Sequence, residues 1–358
     1  MLSNVEASGR ARPLVLSNVE ASGRAKKFLL VTVIENKERE SDDDYKGVAM
    51  LSKKIILGCM SVLLLSTRGA VMDVKKVIIP AAGLGTRFFP WSRSMPKELL
   101  PLGDAPAIEH VVREAIASGC TDVIMIAGAR KYAIIDYFEK ANLPASFTYV
   151  PQPEPKGLGH AISMAAPLVK DEYVGIILPD ELLFCDTTPG LKQLIEVAQR
   201  EKASVVGVSE VPREQICALG CVAIKNWIDD KTVEIATLVE KPKFEEIPSN
   251  LALNGRYVLS PKLFESLKAI KPGAKGEYQL TDAIAHMLAH GEKVIAYKVD
   301  GTRHDIGNPK GWIKAVIASS LDSKQYNGDI RRFMEDELMR RYGLDFLQKI
   351  SKVKELGL

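Results

Sequence analysis

The sequence lacks several features that would assign it to a common class of protein. Its five cysteines are odd in number and form no C-x-x-C pair, so neither a disulfide scaffold nor a cysteine-based zinc site is indicated. The P-loop string G-x-x-x-x-G-K-[ST] is missing. The dinucleotide fingerprint is incomplete, because Gly83 and Gly85 are followed by Phe88 where a third glycine or an alanine would stand. A P-loop nucleotidase is therefore excluded, and a nicotinamide oxidoreductase is disfavoured.

An excess of one charge is also missing. The chain has 48 Lys and Arg against 45 Asp and Glu, and residues 1–71 hold 11 of the basic and 8 of the acidic residues. The remaining residues are neutral overall, which does not favour nucleic acid or an anionic membrane as a partner. The apolar run at 55–65 is too short to span a bilayer. We expect a cytoplasmic protein that binds neither nucleic acid nor membrane.

The first 71 residues differ from the rest. The ten residues LSNVEASGRA occur twice, at 2–11 and 16–25, and two short copies cannot stack into a repeat fold. The apolar run at 55–65, preceded by two lysines, has the shape of an export signal. An extra helix or a peripheral anchor is a further alternative. We favour the interpretation that residues 1–71 are an extension foreign to the native protein, which then begins at Met72.

From residue 72 onward, strand and helix patterns alternate, which indicates an α/β fold with a mainly parallel sheet covered on both faces. After residue 211 the strands become shorter. We therefore expect one domain over 72–321, with a first half over 72–210 and a second over 211–321. A helical tail over 322–358 could pack on this domain or on a partner subunit, so the oligomeric state stays open. The predicted strands are 77–79, 123–127, 147–150, 173–178, 204–208, 220–224, 233–239, 256–259 and 294–299, and the predicted helices are 107–118, 132–140, 160–169, 191–202, 261–269 and 281–289.

The most informative segment is residues 77–102, VIIPAAGLGTRFFPWSRSMPKELLPL. A short strand is followed by a turn of small residues that includes Gly83 and Gly85. Small side chains let backbone N–H groups approach a ligand and line an anion-binding concavity. Arg87 and Lys97 add fixed positive charge beside those groups. This layout predicts a nucleoside triphosphate site, and a tight structural turn is the alternative.

Eight motifs follow one another between residues 74 and 321. Their order resembles the bacterial UTP–glucose-1-phosphate uridylyltransferases (UDP-glucose pyrophosphorylases) of the sugar-phosphate nucleotidyltransferase superfamily. The first two motifs set the superfamily, whereas KGLGHA, SNLALNGRYVL and E-x-QLTDAI favour the glucose-uridylyl branch. The motifs are PAAGLGTR (80–87), PKELLPL (96–102), KGLGHA (156–161), ILPDEL (177–182), VEKP (239–242), SNLALNGRYVLSP (249–261), GEYQLTDAI (276–284) and HDIGN (304–308).

The resemblance implies a Rossmann-like mixed, mainly parallel sheet flanked by helices, with a nucleotide half followed by a sugar half. It implies transfer of the uridylyl group of UTP to glucose 1-phosphate, with Mg²⁺ as cofactor. The same fold acting on dTTP or another hexose 1-phosphate is an alternative, and so is a non-catalytic nucleotide-sugar sensor. For the two metal-binding aspartates, the competing interpretation is a turn-forming role.

The resemblance also implies the residues of the site. The predicted catalytic cations are Lys97, Arg87 and Lys241; the nucleotide contacts are Ala81, Ala82, Gly83, Gly85, Gln152 and Gly157; the sugar contacts are Gly220, Glu240, Asn254 and Gly255; the metal ligands are Asp180 and Asp305, with Glu181 as a further carboxylate nearby.

Overall fold

The computed structural model describes residues 72–128, 132–273 and 276–343. The expectations for residues 1–71 and for the end of the tail, 344–358, lie outside the described residues. In the described part of the chain, no helix combines the length and the apolar character that a membrane span requires.

The described part of the chain alternates strands with helices. The strands are β1 Lys76–Ala81, β2 Pro101–Leu102, β3 Ala105–Pro106, β4 Asp122–Gly128, β5 Ser146–Gln152, β6 Val174–Ile177, β7 Glu181–Phe184, β8 Ser204–Glu210, β9 Gly220–Trp227, β10 Thr232–Glu240, β11 Leu251–Leu259, β12 Val294–Lys298 and β13 Thr302–Asp305. The α-helices are α1 Ala107–Ala117, α2 Tyr132–Lys140, α3 Leu158–Ser163, α4 Ala166–Val169, α5 Gly190–Glu201, α6 Arg213–Ile216, α7 Lys262–Ala269, α8 Leu280–Ala289, α9 Pro309–Asp322 and α10 Asn327–Tyr342.

Nine strands form one mixed sheet in the order β5-β4-β1-β6-β11-β8-β12-β10-β9. Strands β5, β4, β1 and β6 run parallel to one another. Strand β11 is antiparallel to both of its neighbours, β6 and β8. The predicted α/β class with a mixed sheet is therefore confirmed, and most of its parallel pairs lie among the strands of the first half. Strands from both predicted halves are hydrogen-bonded into this one sheet, and β11 of the second half lies between β6 and β8 of the first.

Alternation along the strands explains the two-sided core. Val77 and Ile79 of β1 pack on one face of the sheet with α1 and α5. Ile78, between them, packs on the opposite face with α3, α7 and α8. Successive side chains of a strand point to opposite faces, so a strand covered on both sides has to be apolar throughout. This is why the central residues of β1, Val77–Ile79, are all apolar and β-branched.

The structure differs from the prediction at 160–169, where one helix was expected and two are found. Helix α3 ends at Ser163, and the N–H of Ala165 bonds to the carbonyl of Ile162 in a tight turn. Pro167 lies in the first turn of α4. Proline has no N–H to continue an α-helical ladder, so the helix restarts at this point.

A buried ion pair joins β11 to α1. The guanidinium of Arg256 has no exposed surface, and its Nη2 lies 2.6 Å from Oε2 of Glu114. Its Nε donates to the other oxygen of that carboxylate at 3.1 Å, which makes the pair bidentate. Arg256 Nη1 donates to the backbone carbonyls of Glu181 and Asn254. Burial of this charge is tolerated because its donors are occupied by well-placed acceptors.

We expect Arg256→Met to lower the free energy of unfolding by about 3–5 kcal/mol, because removing one partner leaves the Glu114 carboxylate buried and unpaired. Denaturant unfolding followed by circular dichroism measures this change. The control is Arg340→Met, which removes an exposed pair with Glu337 and should change stability by less than about 1 kcal/mol. Equal losses of stability in the two variants would show that the buried pair contributes no more than the exposed one.

Candidate active site

A cleft of about 590 Å³ opens beyond the carboxyl ends of β1, β4 and β5. In parallel α/β sheets this is the edge at which ligands bind. The cleft is lined by Ala82, Gly83, Leu84, Thr86, Phe89, Ser92, Arg93, Ser94, Met95, Pro96, Lys97, Gly128, Gln152, Pro153 and Pro155. Four of the predicted site residues are among them: Ala82, Gly83, Lys97 and Gln152.

The turn after β1 forms one wall of the cleft. Gly85 has a φ of 66°, in the left-handed region, and its carbonyl accepts a bond of 2.6 Å from the hydroxyl of Ser92. Gly128 approaches the other side of the turn, where a Cβ would lie 3.0 Å from the carbonyl oxygen of Ala82. The small residues therefore allow close backbone contacts, as the sequence pattern indicated. Ala81 itself is buried within β1.

Lys97 and Asp180 meet beside this cleft, although they are far apart in sequence. The ammonium of Lys97 lies 2.8 Å from Oδ2 of Asp180. Lys97 begins the 3₁₀ helix Lys97–Leu99, whereas Asp180 stands between β6 and β7. Arg87 is exposed, and its charge acts on both members of the pair.

The pair shifts the pKa of each group so that the charged form of each is favoured. Burial by itself would lower the pKa of the Lys97 ammonium, but the charges of Asp180 and Glu98 outweigh burial and raise it. Burial would likewise raise the pKa of the Asp180 carboxyl, but the charge and hydrogen bond of Lys97 lower it below its ordinary value. Both groups are therefore ionised at neutral pH.

Asp305 faces the same small space as Asp180. A Cβ placed on Gly307 would lie 3.1 Å from Oδ1 of Asp305 and 3.4 Å from Oδ2 of Asp180. The N–H of Gly307 donates to Asp305 at 2.8 Å, and the N–H of Ile306 donates to the carbonyl of Asp180 at 2.8 Å. A residue with no side chain at 307 thus leaves room between two carboxylates that come from distant parts of the chain.

Glu181, next to Asp180, is turned away into the protein. Its carboxylate lies 2.5 Å from the guanidinium of Arg303 across the β7–β13 ladder. Burial raises its pKa to about 7, against the opposing charge of Arg303. Its second oxygen, Oε2, is buried and has no partner within the described residues. Glu181 therefore belongs to the support beneath the two aspartates.

A second group of predicted residues surrounds Glu240, at the end of β10. Gly220 lies directly beneath this carboxylate, since a Cβ there would be 3.0 Å from Oε2. Thr281 donates to the same oxygen at 3.3 Å. Lys241 follows with a φ of 46°, unusual for a residue other than glycine, and its ammonium lies 3.0 Å from the other carboxylate oxygen.

Asn254 and Gly255, which are predicted to contact the sugar, both lie on β11. The Asn254 side chain has no exposed surface, and its amide nitrogen lies 3.4 Å from the hydroxyl oxygen of Ser209 on β8. Gly255 is also buried, and its φ of 78° lies in the left-handed region. A Cβ at Gly255 would lie 2.9 Å from the Cβ of Glu181. These two residues shape β11 where it passes beneath the aspartates.

Gln152 ends β5 at the floor of the cleft, and its side-chain nitrogen is held on two sides. It lies 3.4 Å from the carbonyl of Gly157 and 2.8 Å from Nδ1 of His160. Gly157 has a φ of 99°, and a Cβ there would be 2.6 Å from the carbonyl oxygen of Tyr278. The predicted Gln152 and Gly157 are therefore neighbours, joined through a histidine that the sequence argument did not single out.

Several residues of the site were missed by sequence reasoning. Gly307 was quoted only within a motif, although a glycine beside a predicted metal ligand could have been questioned for close approach. Gly128 and His160 gave no signal of their own, because a glycine at a strand end and one histidine near a helix start are common. The buried partners gave no local signal either, since Glu114 and Arg256 are separated by 142 positions.

Comparison with known proteins places the chain among sugar-nucleotide enzymes. The nucleotidyl transferase family model matches residues 76–320. A UTP–glucose-1-phosphate uridylyltransferase of Staphylococcus epidermidis is 39% identical over 284 residues, which cover 73% of this chain and 98% of the relative. A UDP-glucose pyrophosphorylase solved with UDP-glucose is 37% identical with a TM-score of 0.67, covering 70% of this chain and 100% of that one. A UTP-bound UGPase from Acinetobacter baumannii is 32% identical with a TM-score of 0.67, covering 73% and 99% respectively.

We expect Gly255→Ala to destabilise the protein more than Gly291→Ala. The two glycines have φ values of 78° and 80°, and only at Gly255 would the added Cβ meet another residue within 4 Å. Both variants carry the backbone strain of about 1–2 kcal/mol, and Gly255→Ala adds about 1–3 kcal/mol of overpacking against Glu181. Denaturant unfolding of the two variants measures the difference. Equal losses would show that β11 does not press on Glu181.

Proposed function

Because this chain belongs to the nucleotidyl transferase family, we propose that it transfers the uridylyl group of UTP to glucose 1-phosphate, giving UDP-glucose and pyrophosphate. The observation that carries this proposal is the meeting of Lys97, Asp180 and Asp305 beside a cleft at the ligand-binding edge of the sheet. The identity of the substrates is inferred from the relatives, a UTP–glucose-1-phosphate uridylyltransferase among them. The cleft beside the three charged residues is where we expect the reaction to take place.

The reaction joins two polyanions. A phosphate oxygen of glucose 1-phosphate attacks the α-phosphorus of UTP, and the bond to the leaving pyrophosphate breaks. The nucleophile is already ionised, so no general base is required. At an effective dielectric of about 20, two unit negative charges about 4 Å apart repel by roughly 4 kcal/mol. Positioning and positive charge are therefore the main requirements of the site.

We assign the protein's own cations to the two substrates. Lys97 lines the cleft and would contact the phosphates of the nucleotide. Arg87, exposed at the end of the small-residue turn, would hold the phosphates that leave. Lys241 would meet the sugar phosphate, because it is exposed beside Glu240. Each cation lowers the repulsion that the approaching anions would otherwise experience.

The carboxylates fit a magnesium ion. Mg²⁺ prefers oxygen ligands and is usually bound by one or two carboxylates together with substrate phosphates. Asp180 and Asp305 supply two such carboxylates around the space left by Gly307. Within the described residues there is no group of three or more His, Cys, Asp or Glu that could hold a metal by itself, which suits an ion shared with substrate phosphates. When bound, the ion would neutralise phosphate charge.

The remaining predicted residues fall into a sugar side and a base side. Glu240 would accept hydrogen bonds from glucose hydroxyls, with Gly220 leaving room beside its carboxylate. Gln152 would read the uracil edge from the floor of the cleft, next to the backbone of Ala82, Gly83 and Gly157. Asn254 and Gly255 would contribute their backbone to the sugar side, and Gly255 also lets β11 pass close to Glu181.

A panel of triphosphates tests this function. With glucose 1-phosphate as acceptor, UTP should give the highest kcat/KM among UTP, dTTP, CTP, GTP and ATP, measured by coupled pyrophosphate release. Thymine differs from uracil by one methyl group, worth about 1–3 kcal/mol in an apolar pocket, and dTTP also lacks the ribose 2′-hydroxyl, so dTTP should react with a lower kcat/KM than UTP. Mass spectrometry of the product should identify UDP-glucose. A different sugar nucleotide as main product, or binding without turnover, would refute the proposal.

A substitution tests the metal ligand. Asp180→Asn should lower kcat by about a hundredfold or more, because a charged group that stabilises the transition state is lost. UTP should still bind, since Arg87 and the walls of the cleft are unchanged, and titration calorimetry measures this. Asp171→Asn, at an exposed position, is the matched control and should retain full activity. Unchanged turnover in Asp180→Asn would remove Asp180 from the reaction centre.

A further inference from the structure

The Gln152 side chain is held in one orientation before any nucleotide binds. Its amide nitrogen lies 3.4 Å from the carbonyl oxygen of Gly157 and 2.8 Å from Nδ1 of His160. A carbonyl oxygen can only accept, so the atom facing Gly157 must be the NH₂ group. That group has two hydrogens, and the two neighbours account for both of them.

This arrangement fixes the state of His160 as well. With the NH₂ of Gln152 as donor, Nδ1 of His160 is the acceptor, which places the ring hydrogen on Nε2. The other end of the amide, Oε1, accepts no hydrogen bond within the described residues and is not fully enclosed by them. Since Gln152 lines the cleft, this free acceptor is available to a ligand there.

The position of His160 is fixed by backbone contacts between the start of α3 and Tyr278. It lies in the first turn of α3, where the N–H of Gly159 donates to the carbonyl of Tyr278 at 2.8 Å. The N–H of Tyr278 donates back to Lys156 at 2.9 Å. The rings of His160 and Tyr278 lie 6.5 Å apart between centroids. These contacts fix the helix start, so Nδ1 is presented to Gln152 at a set position.

We propose that His160 is a positioning residue that determines base specificity by holding the Gln152 amide with its oxygen toward the nucleotide. The inference rests on the proposed function, in which Gln152 reads the base. Uracil carries a hydrogen on N3, which the oxygen of Gln152 can accept. Cytosine has a lone pair on N3, which would face that oxygen without a hydrogen between them.

The discrimination depends on which end of the amide faces the cleft. A Gln152 free to rotate by 180° would present NH₂ to the ligand and could donate to N3 of cytosine. This rotation would place Oε1 against the carbonyl oxygen of Gly157, acceptor against acceptor, and would also require the His160 hydrogen to move from Nε2 to Nδ1. His160 therefore selects UTP over CTP without touching either nucleotide.

The test compares UTP with CTP in His160→Ala. Removing the acceptor should lower the ratio of kcat/KM for UTP to that for CTP by about tenfold or more, mainly through KM. His160→Asn keeps an acceptor oxygen near the position of Nδ1 and should restore most of the ratio. His290→Ala, which removes an exposed histidine from the end of α8, is the control and should leave the ratio at the wild-type value.

Binding of UDP-glucose and CDP-glucose, measured by titration calorimetry, gives the same comparison without turnover. A fall in affinity that is equal for both ligands, or an unchanged ratio in His160→Ala, would overturn the inference while leaving the proposed function intact. A wild-type protein that does not favour UTP over CTP would overturn both. Thermal unfolding shows whether each variant is folded. If His160→Ala does not fold, His160→Asn is compared with the wild type in its place.

Discussion

The ion pair between Glu114 and Arg256 holds three distant parts of the chain at one point beneath the active site. Glu114 belongs to α1, Arg256 to β11, and the N–H of Leu191 at the start of α5 donates to the same carboxylate at 3.0 Å. From this point Arg256 donates to the carbonyl of Glu181, the residue after Asp180. An isolated charge in this position would be very costly, so these partners have to be present together. Arginine suits the position better than lysine because its planar fork can bond to a carboxylate and to backbone carbonyls at once.

The reacting groups are built on top of this support. Asp180 follows β6, and Asp305 is the last residue of β13, which is paired with β7. Gly255 lets β11 pass close to Glu181, and Gly307 leaves room between the two carboxylates. The site therefore combines rigid strands below with a small open space above. This arrangement supports the proposal that the two aspartates bind a shared cation.

The sequence predicted those parts of the structure that depend on local chemistry. The run at Val77–Ile79 is β-branched or aliphatic because it is covered on both faces, and Asp180 could be placed because it follows a buried strand. The interruption of the helix after Ser163 was missed, because the apolar spacing of the helix continues across Pro167. Arg256 could not be placed in the core, because an arginine is usually exposed and its partner is distant in sequence. The side chain of Asn254 is buried against Ser209 of β8, and the motif in which it lies gave no sign of this contact.

The arrangement of β6 beside β11 limits how the molecule can open. These strands are hydrogen-bonded from Ile177 and Arg256 to Val174 and Leu259, so the first and second halves of the domain share one continuous ladder. Swinging them apart as separate bodies would break that ladder in the centre of the sheet. Residues 83–97 lie outside that ladder and form the largest part of the cleft wall. In such a molecule the speed of substrate exchange would be a property of that one surface segment, and it could change without altering the framework that holds the carboxylates.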